Sequence, residues 1–119
     1  MKKSRRTDKL SSLVKKALSE IISNEISDPD MGIITITDVE VSIDLSIAKV
    51  FFSVIGGKRD IQKQKNIILH MNKFLRRRLA EKINLRYTPR IRMTHDDTPE
   101  KAHKLEMKFR EIEEQRCEL

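Results

Sequence analysis

A helix has to give way to a strand within the twenty residues from Lys73 to Arg92. Leu75, Leu79 and Ile83 recur every four residues and so share one helical face. At about 100° per residue, Lys73 and Arg77 fall on the opposite face and Arg76 at its boundary. Asn84 ends the period, as Asn does past a helix C-terminus. Pro89 forbids more helix but suits the first position of a strand. Beyond it Arg90 and Arg92 alternate with Ile91 and Met93, the pattern of a half-buried strand. One segment thus joins an apolar stripe to a dense cationic surface in which Glu81 is the only acid. A solvated charged face is the plain reading. The cations are nearly all Arg, however, and a planar guanidinium suits bidentate phosphate recognition.

The rest of the chain supplies partners for that segment. Leu10, Leu13, Val14, Ala17, Leu18, Ile21, Ile22 and Ile26 predict a helix over 5–26, with Ser4 or Thr7 as its cap. The turn residues Asp28-Pro29-Asp30-Met31-Gly32 stop it. Residues 33–43 are a β-branched strand with a phase slip. Ile34 and Ile36 share one face, but Val39, Val41 and Ile43 share the other, which predicts a bulge at Thr37-Asp38. After a turn at 42–46, Ala48, Val50, Phe52 and Val54 alternate as a second strand, giving an antiparallel hairpin. Phe51, on the other face, is expected to pack against a cross-strand neighbour rather than stack on a base. Gly56-Gly57 should break this strand, and Asp60 should cap a helix starting at Ile61. Ile61, Ile68, Met71, Leu75 and Leu79 keep helical spacing, with straight and bent paths near Asn72 both open. A third strand follows at 90–95, and Thr98-Pro99-Glu100 starts a last helix, expected to fray after Arg110. Its narrow stripe of Ala102, Leu105, Phe109 and Ile112 predicts an exposed helix. The order is helix, strand, strand, helix, helix, strand, helix. The expected class is α+β, a small three-stranded sheet with helices on one face. Residues 1–98 form the domain and 99–119 a C-terminal helix or tail.

Charge and chemistry narrow the function. A net charge of +7 calls for an anionic partner without choosing between nucleic acid and lipid. No apolar run approaches the ~18 residues of a membrane span. The start, Met1-Lys2-Lys3-Ser4-Arg5-Arg6, lacks the apolar core of a secretion signal. Cys117 is the single cysteine, and with His70, His95 and His103 scattered there is no zinc pattern. A reducing cytoplasm is the expected compartment, with no metal and no cofactor. The chain has no Trp and 4% aromatics, which argues against reading single strands mainly by stacking. His95-Asp96-Asp97 is the only constellation resembling a catalytic site. Neighbours on a strand point to opposite faces, and the two acids suit a helix start, so no catalytic residue is assigned. Gly32, Gly56 and Gly57 fit no phosphate-cradling loop.

With these motifs in view, the chain resembles bacterial ribosome-binding factor A over roughly residues 5–98. The resemblance is carried by Glu25-Ile26-Ser27-Asp28-Pro29, then Val39-Glu40-Val41-Ser42 with Asp44-Leu45 and Ala48-Lys49-Val50. Phe74-Leu75-Arg76 with Leu79 follows, then Leu85-Arg86 and Pro89, and Asp96 after the third strand. Order and spacing make the joint match specific. It implies a KH-like domain of the type II order, in a cytoplasmic factor that binds the small (30S) ribosomal subunit. It also implies help with late maturation of 16S rRNA at its 5′ region, most needed in the cold. The chain lacks the G-x-x-G loop of an ordinary KH domain. Where the family usually has an Ala-x-Gly kink, Met71-Asn72-Lys73 stands here.

The sequence therefore reads as a monomeric, non-enzymatic rRNA-binding assembly factor with the small subunit and 16S rRNA as partners. Its candidate RNA contacts are Lys3, Arg5, Arg6, Lys73, Arg76, Arg77, Arg86, Arg90 and Arg92. The side chains of Lys73, Arg76, Arg77, Arg90 and Arg92 are expected to cost the fold little when removed. The rival is a generic basic nucleoid protein, which would bind duplex DNA as well as it binds ribosomes.

Overall fold

A computed structural model describes residues 5–26 and 28–117. The elements are α1 (Arg5–Glu25), β1 (Met31–Val41), β2 (Ile47–Gly57), α2 (Ile61–Leu69), α3 (Asn72–Lys82), β3 (Arg90–His95) and α4 (Thr98–Cys117). They form one three-stranded sheet in the order β1-β2-β3. The hairpin of β1 and β2 is antiparallel, whereas β2 and β3 run parallel. Parallel neighbours need a crossover, and α2 with α3 provides it. This is the α+β order read from the sequence.

The predicted bulge lies between Ile36 and Asp38. Its effect is what the phase slip requires: Ile36, Val39 and Val41 are all buried on the helix-covered face. The Asp38 carboxylate accepts the Val39 N–H at 2.8 Å, which satisfies a donor the irregular ladder would otherwise strand. Ala48, Val50, Phe52 and Val54 of β2 are fully buried, as are Val14 and Leu18 of α1, Leu75 and Leu79 of α3, and Ile68 of α2. Ile91 and Met93 complete the core from β3.

Several expectations need correction. Leu13 lies at the edge of the α1 stripe and is 44% exposed. Ile43 lies in the turn beyond β1 and is exposed. Gly56 and Gly57 stop β2 as expected, in left-handed conformations at φ +79° and +86°. Asp60 makes no side-chain cap to α2. Ile61 faces solvent, and the buried residue of that turn is Gln64. The helical run does break, at His70-Met71, so the kink survives without small residues. There the Met71 N–H reaches back to the Ile68 carbonyl, and α3 restarts with the Leu75 N–H on the Met71 carbonyl. The terminal helix continues to Cys117. Ser4 lies outside the described residues. The Lys49 ammonium, two residues back on the same strand, lies over the Phe51 ring, 5.0 Å from its centre.

Burial of Gln64 is tolerated because every polar atom of its amide is used. Its Oε1 accepts the Gly32 N–H at 2.8 Å, and its Nε2 donates to the Gly56 and Arg59 carbonyls, each at 2.9 Å. One side chain thereby ties the start of β1, the end of β2 and α2 together. Gly57 is required beside it. Its φ is left-handed, and a Cβ there would run into the Gly32 nitrogen and Gln64 Nε2. At the other extreme α4 is exposed at Ala102, Leu105, Met107 and Ile112. The chain measures 63 × 32 × 20 Å. Its radius of gyration of 17.2 Å exceeds the about 13–14 Å of a compact chain this long.

Leu18→Ala and Leu79→Ala should each cost about 2–5 kcal/mol in urea denaturation, because both side chains are wholly buried. Gln64→Ala should cost roughly 2–4 kcal/mol, more than its lost volume warrants, since backbone groups from three segments lose their partner. A Gln64→Ala protein as stable as the parent would mean that this amide does not hold the corner.

Candidate nucleic-acid interface

Chain path builds the site before any charge is considered. After α3, Ile83 turns extended and the chain runs through Leu85-Arg86-Tyr87-Thr88 to a fully buried Pro89. Proline holds Thr88 extended and leads straight into β3. The Arg90 N–H then donates to the Ser46 carbonyl at 2.8 Å, which fastens the start of β3 to the β1–β2 turn. That turn is stiff in its own right. The Asp44 carboxylate accepts the Ser42 and Ser46 hydroxyls, each at 2.7 Å, and these bonds hold its pKa below the ordinary value. Leu45 takes a left-handed φ of +63° between them. The first half of α1 passes beside both segments. The outcome is a groove of about 770 Å³ between α1, the 42–46 turn, α3 and the 83–89 loop.

The groove has an apolar floor of Leu10, Leu13, Leu45 and Leu85 and a cationic rim. Arg6 and Lys9 come from α1, Arg76 from α3, Arg86 from the loop and Arg90 from β3. Asp44 is the one acid lining it, and its charge is already held by two hydroxyls. Among the described residues none of those five cations forms an ion pair. Arg76 donates to the Thr88 carbonyl at 3.1 Å, so it also steadies the loop and is not the free side chain that periodicity suggests. Arg6 and Lys9 stand near the N-terminus of α1, where the helix dipole opposes cations. Their placement serves an anion better than it serves the helix.

The other end of the same helix pair is arranged differently. Arg78 of α3 pairs with Glu25 of α1 and with Glu81, and Lys82 pairs with Glu20 at 2.8 Å. The Lys82 ammonium holds the Glu20 carboxyl below its ordinary pKa. Asp28 pairs with Arg59 at 3.0 Å and accepts the Asp30 N–H, so the Asp28-Pro29 motif is explained as a structural turn. Ion pairs join the helices where α1 ends, and among the described residues Arg6 and Lys9, where it begins, form none.

Of the sequence-predicted contacts, Arg6, Arg76, Arg86 and Arg90 converge on the groove. Lys73 and Arg77 are exposed on α3 but do not line it. Arg92 lies on the sheet face turned away from the core, paired in register with Lys49. Lys3 and the side chain of Arg5 lie outside the described residues. Sequence reasoning missed Lys9 and also Tyr87, which has no periodic context. The three-to-four residue spacing of Arg6, Lys9 and Leu13 was the available signal, since it puts them along one edge of α1.

The constellation at His95 resolves into packing. The His95 ring meets Phe52 edge-on, with centres 5.4 Å apart. Asp96 accepts the Thr98 N–H at 3.0 Å and the Thr37 hydroxyl at 2.9 Å, so it caps α4 and ties it to the β1 bulge. Among the described residues no group of three His, Cys, Asp or Glu is placed to hold a metal. No helix among them is long and apolar enough to cross a membrane.

A family model described as Ribosome-binding factor A matches residues 6–109. Ribosome-binding factor A of Nitrosomonas europaea is 39% identical over 100 residues, covering 84% of this chain and 86% of that protein. The crystal structure of ribosome-binding factor A from Thermus thermophilus is similar at a TM-score of 0.63 and 24% identity, covering 75% of this chain and 94% of that one. A homology model of the Thermus thermophilus factor, fitted into the cryo-EM map of its 30S complex, gives 0.61 at 24% identity, over 74% and 92%.

Asp96 supplies a pH test of the α4 cap. The Thr98 N–H and hydroxyl, then the Thr37 hydroxyl, lower its pKa from the ordinary aspartate value. A depressed carboxylate contributes stability that is complete above its unfolded pKa of about 3.9 and lost as pH falls through the folded value. The stability gap between the parent and Asp96→Asn should therefore be widest near neutrality and narrow below about pH 4. A gap independent of pH in thermal melts would contradict this.

Proposed function

The chain belongs to the ribosome-binding factor A family, and from that premise we propose that it docks the groove's cationic rim on the rRNA of the free 30S subunit during late maturation. The observation that carries this reading is the set of uncompensated cations delivered by four separate elements to one groove. A solvated face would have no reason to gather them. The 30S complex of the Thermus thermophilus factor supports the choice of partner. Arg6, Arg76, Arg86 and Arg90 are the central contacts. Lys73, Arg77 and Arg92 extend the surface, and Lys3 and Arg5 are further candidate contacts. Residues 1–98 are the binding domain and 99–119 a C-terminal helix or tail.

The protein works in the cytoplasm as a monomer and by binding alone, without catalysis. A ligand shifts an equilibrium only by its differential affinity for the two states. The factor therefore binds the immature subunit better than the translating ribosome, and it favours the rRNA conformation that leads to processing at the 5′ region of 16S rRNA. A nucleoid protein would need only charge; the anchored loop and shaped groove are more than duplex binding requires.

Binding of an Arg6→Ala/Arg90→Ala protein to free 30S subunits should be measured across a salt series. Unfolding should be unchanged, affinity lower and the salt slope smaller by about one to two. Lys58→Ala/Lys63→Ala removes equal charge beyond the far end of β2 and should leave the slope near the parent's. Equal slopes for the parent and the Arg6→Ala/Arg90→Ala protein would remove the groove from the interface.

A further inference from the structure

We infer that the groove receives an unstacked base of single-stranded RNA, with Tyr87 as its stacking platform and the rim cations on the flanking phosphates. This rests on the reading that the groove meets RNA and adds which form of RNA it selects. Tyr87 is 77% exposed, although the chain is fastened immediately beyond it. Arg76 holds the Thr88 carbonyl, Pro89 is buried, and the Arg90 N–H holds Ser46. An anchored loop has already lost the backbone freedom that ordering it on binding would otherwise cost. The Arg86 guanidinium carbon lies 5.6 Å from the ring centre and steadies it. Leu13, itself 44% exposed, gives the groove an open apolar wall.

Each part asks for a different piece of one nucleotide. The ring and the leucines suit the face of a base, which is apolar and flat. The uncompensated guanidinium groups suit its phosphates. In a duplex the base faces are stacked on one another and present only edges and phosphates, so Tyr87 would have nothing to cover. An acidic peptide would satisfy the rim but not the ring. With a single tyrosine in the groove, one base is stacked rather than a run of them, which agrees with the low aromatic content.

The chain has one Tyr and no Trp, so its intrinsic fluorescence reports on Tyr87 alone. The full chain would be titrated with a short single-stranded RNA, the same strand carrying abasic positions, a duplex of equal length, and poly-glutamate. Single-stranded RNA should quench the tyrosine and bind more tightly than the other three. By anisotropy, Tyr87→Ala should weaken binding of single-stranded RNA roughly 5- to 150-fold while leaving the salt slope unchanged, because no phosphate contact is lost. Tyr87→Phe, which keeps the ring, should recover most of that affinity. Tyr87→Ala binding RNA like the parent, or abasic strand or poly-glutamate binding as tightly as intact RNA, would overturn the inference. Loss of 30S affinity in Arg6→Ala/Arg90→Ala alongside either result would leave the docking surface standing without its base site. An unchanged 30S salt slope in that pair would instead strike at the docking surface itself.

Discussion

Parallel pairing of β2 with β3 forces the chain to cross the sheet between Gly57 and Arg90, and α2 and α3 make that crossing. The register is fixed at its start by the Arg90 N–H on the Ser46 carbonyl. That bond brings the β1–β2 turn and the 83–89 loop to one end of the sheet. The first turns of α1 reach the same end because Val14, Leu18 and Ile22 must cover the sheet along β1. Core packing and strand register together decide that residues far apart in sequence share a groove. Leu75 and Leu79, buried between α1 and the sheet, leave Arg76 on the boundary where it reaches Thr88.

The charge pattern follows this geometry. At its C-terminal end α1 pairs its acids with Arg78 and Lys82. At its N-terminal end it contributes cations where its dipole disfavours them, and among the described residues these form no ion pair. Surface ion pairs add little to stability, so the difference between the two ends matters chiefly for what each can bind. The paired end is a joint between helices. The unpaired end of this KH-like domain is open to an anion, in a chain that lacks the G-x-x-G loop with which ordinary KH domains hold nucleotides.

The fold was legible because it is written in periods. The α1 stripe, the alternation of β2 and the phase slip before Val39 each map onto packing, since burial on one face is what fixes them. What periodicity does not encode was lost. Gln64 looks like a surface helix residue, and only the tertiary approach of Gly32, Gly56 and Arg59 makes it the corner of the fold. The candidate site was legible in part. Arg76, Arg86 and Arg90 stood out as a run, and Arg6 as a basic start. Their convergence depends on the parallel register, which no local pattern announces. Tyr87 was passed over because one aromatic in a loop has no period, and its meaning comes from the anchors at Thr88, Pro89 and Arg90.

The central claim is that the end of the sheet holding the groove, and not the opposite end, faces rRNA. Site-specific crosslinking tests it most directly. In a Cys117→Ser background, a photoreactive thiol reagent would be attached at Thr88→Cys, beside the groove, and separately at Lys63→Cys on α2. Each protein would be bound to free 30S subunits and irradiated. The account predicts crosslinks to 16S rRNA from position 88 and few or none from position 63. Crosslinks from position 63 with none from position 88 would contradict it.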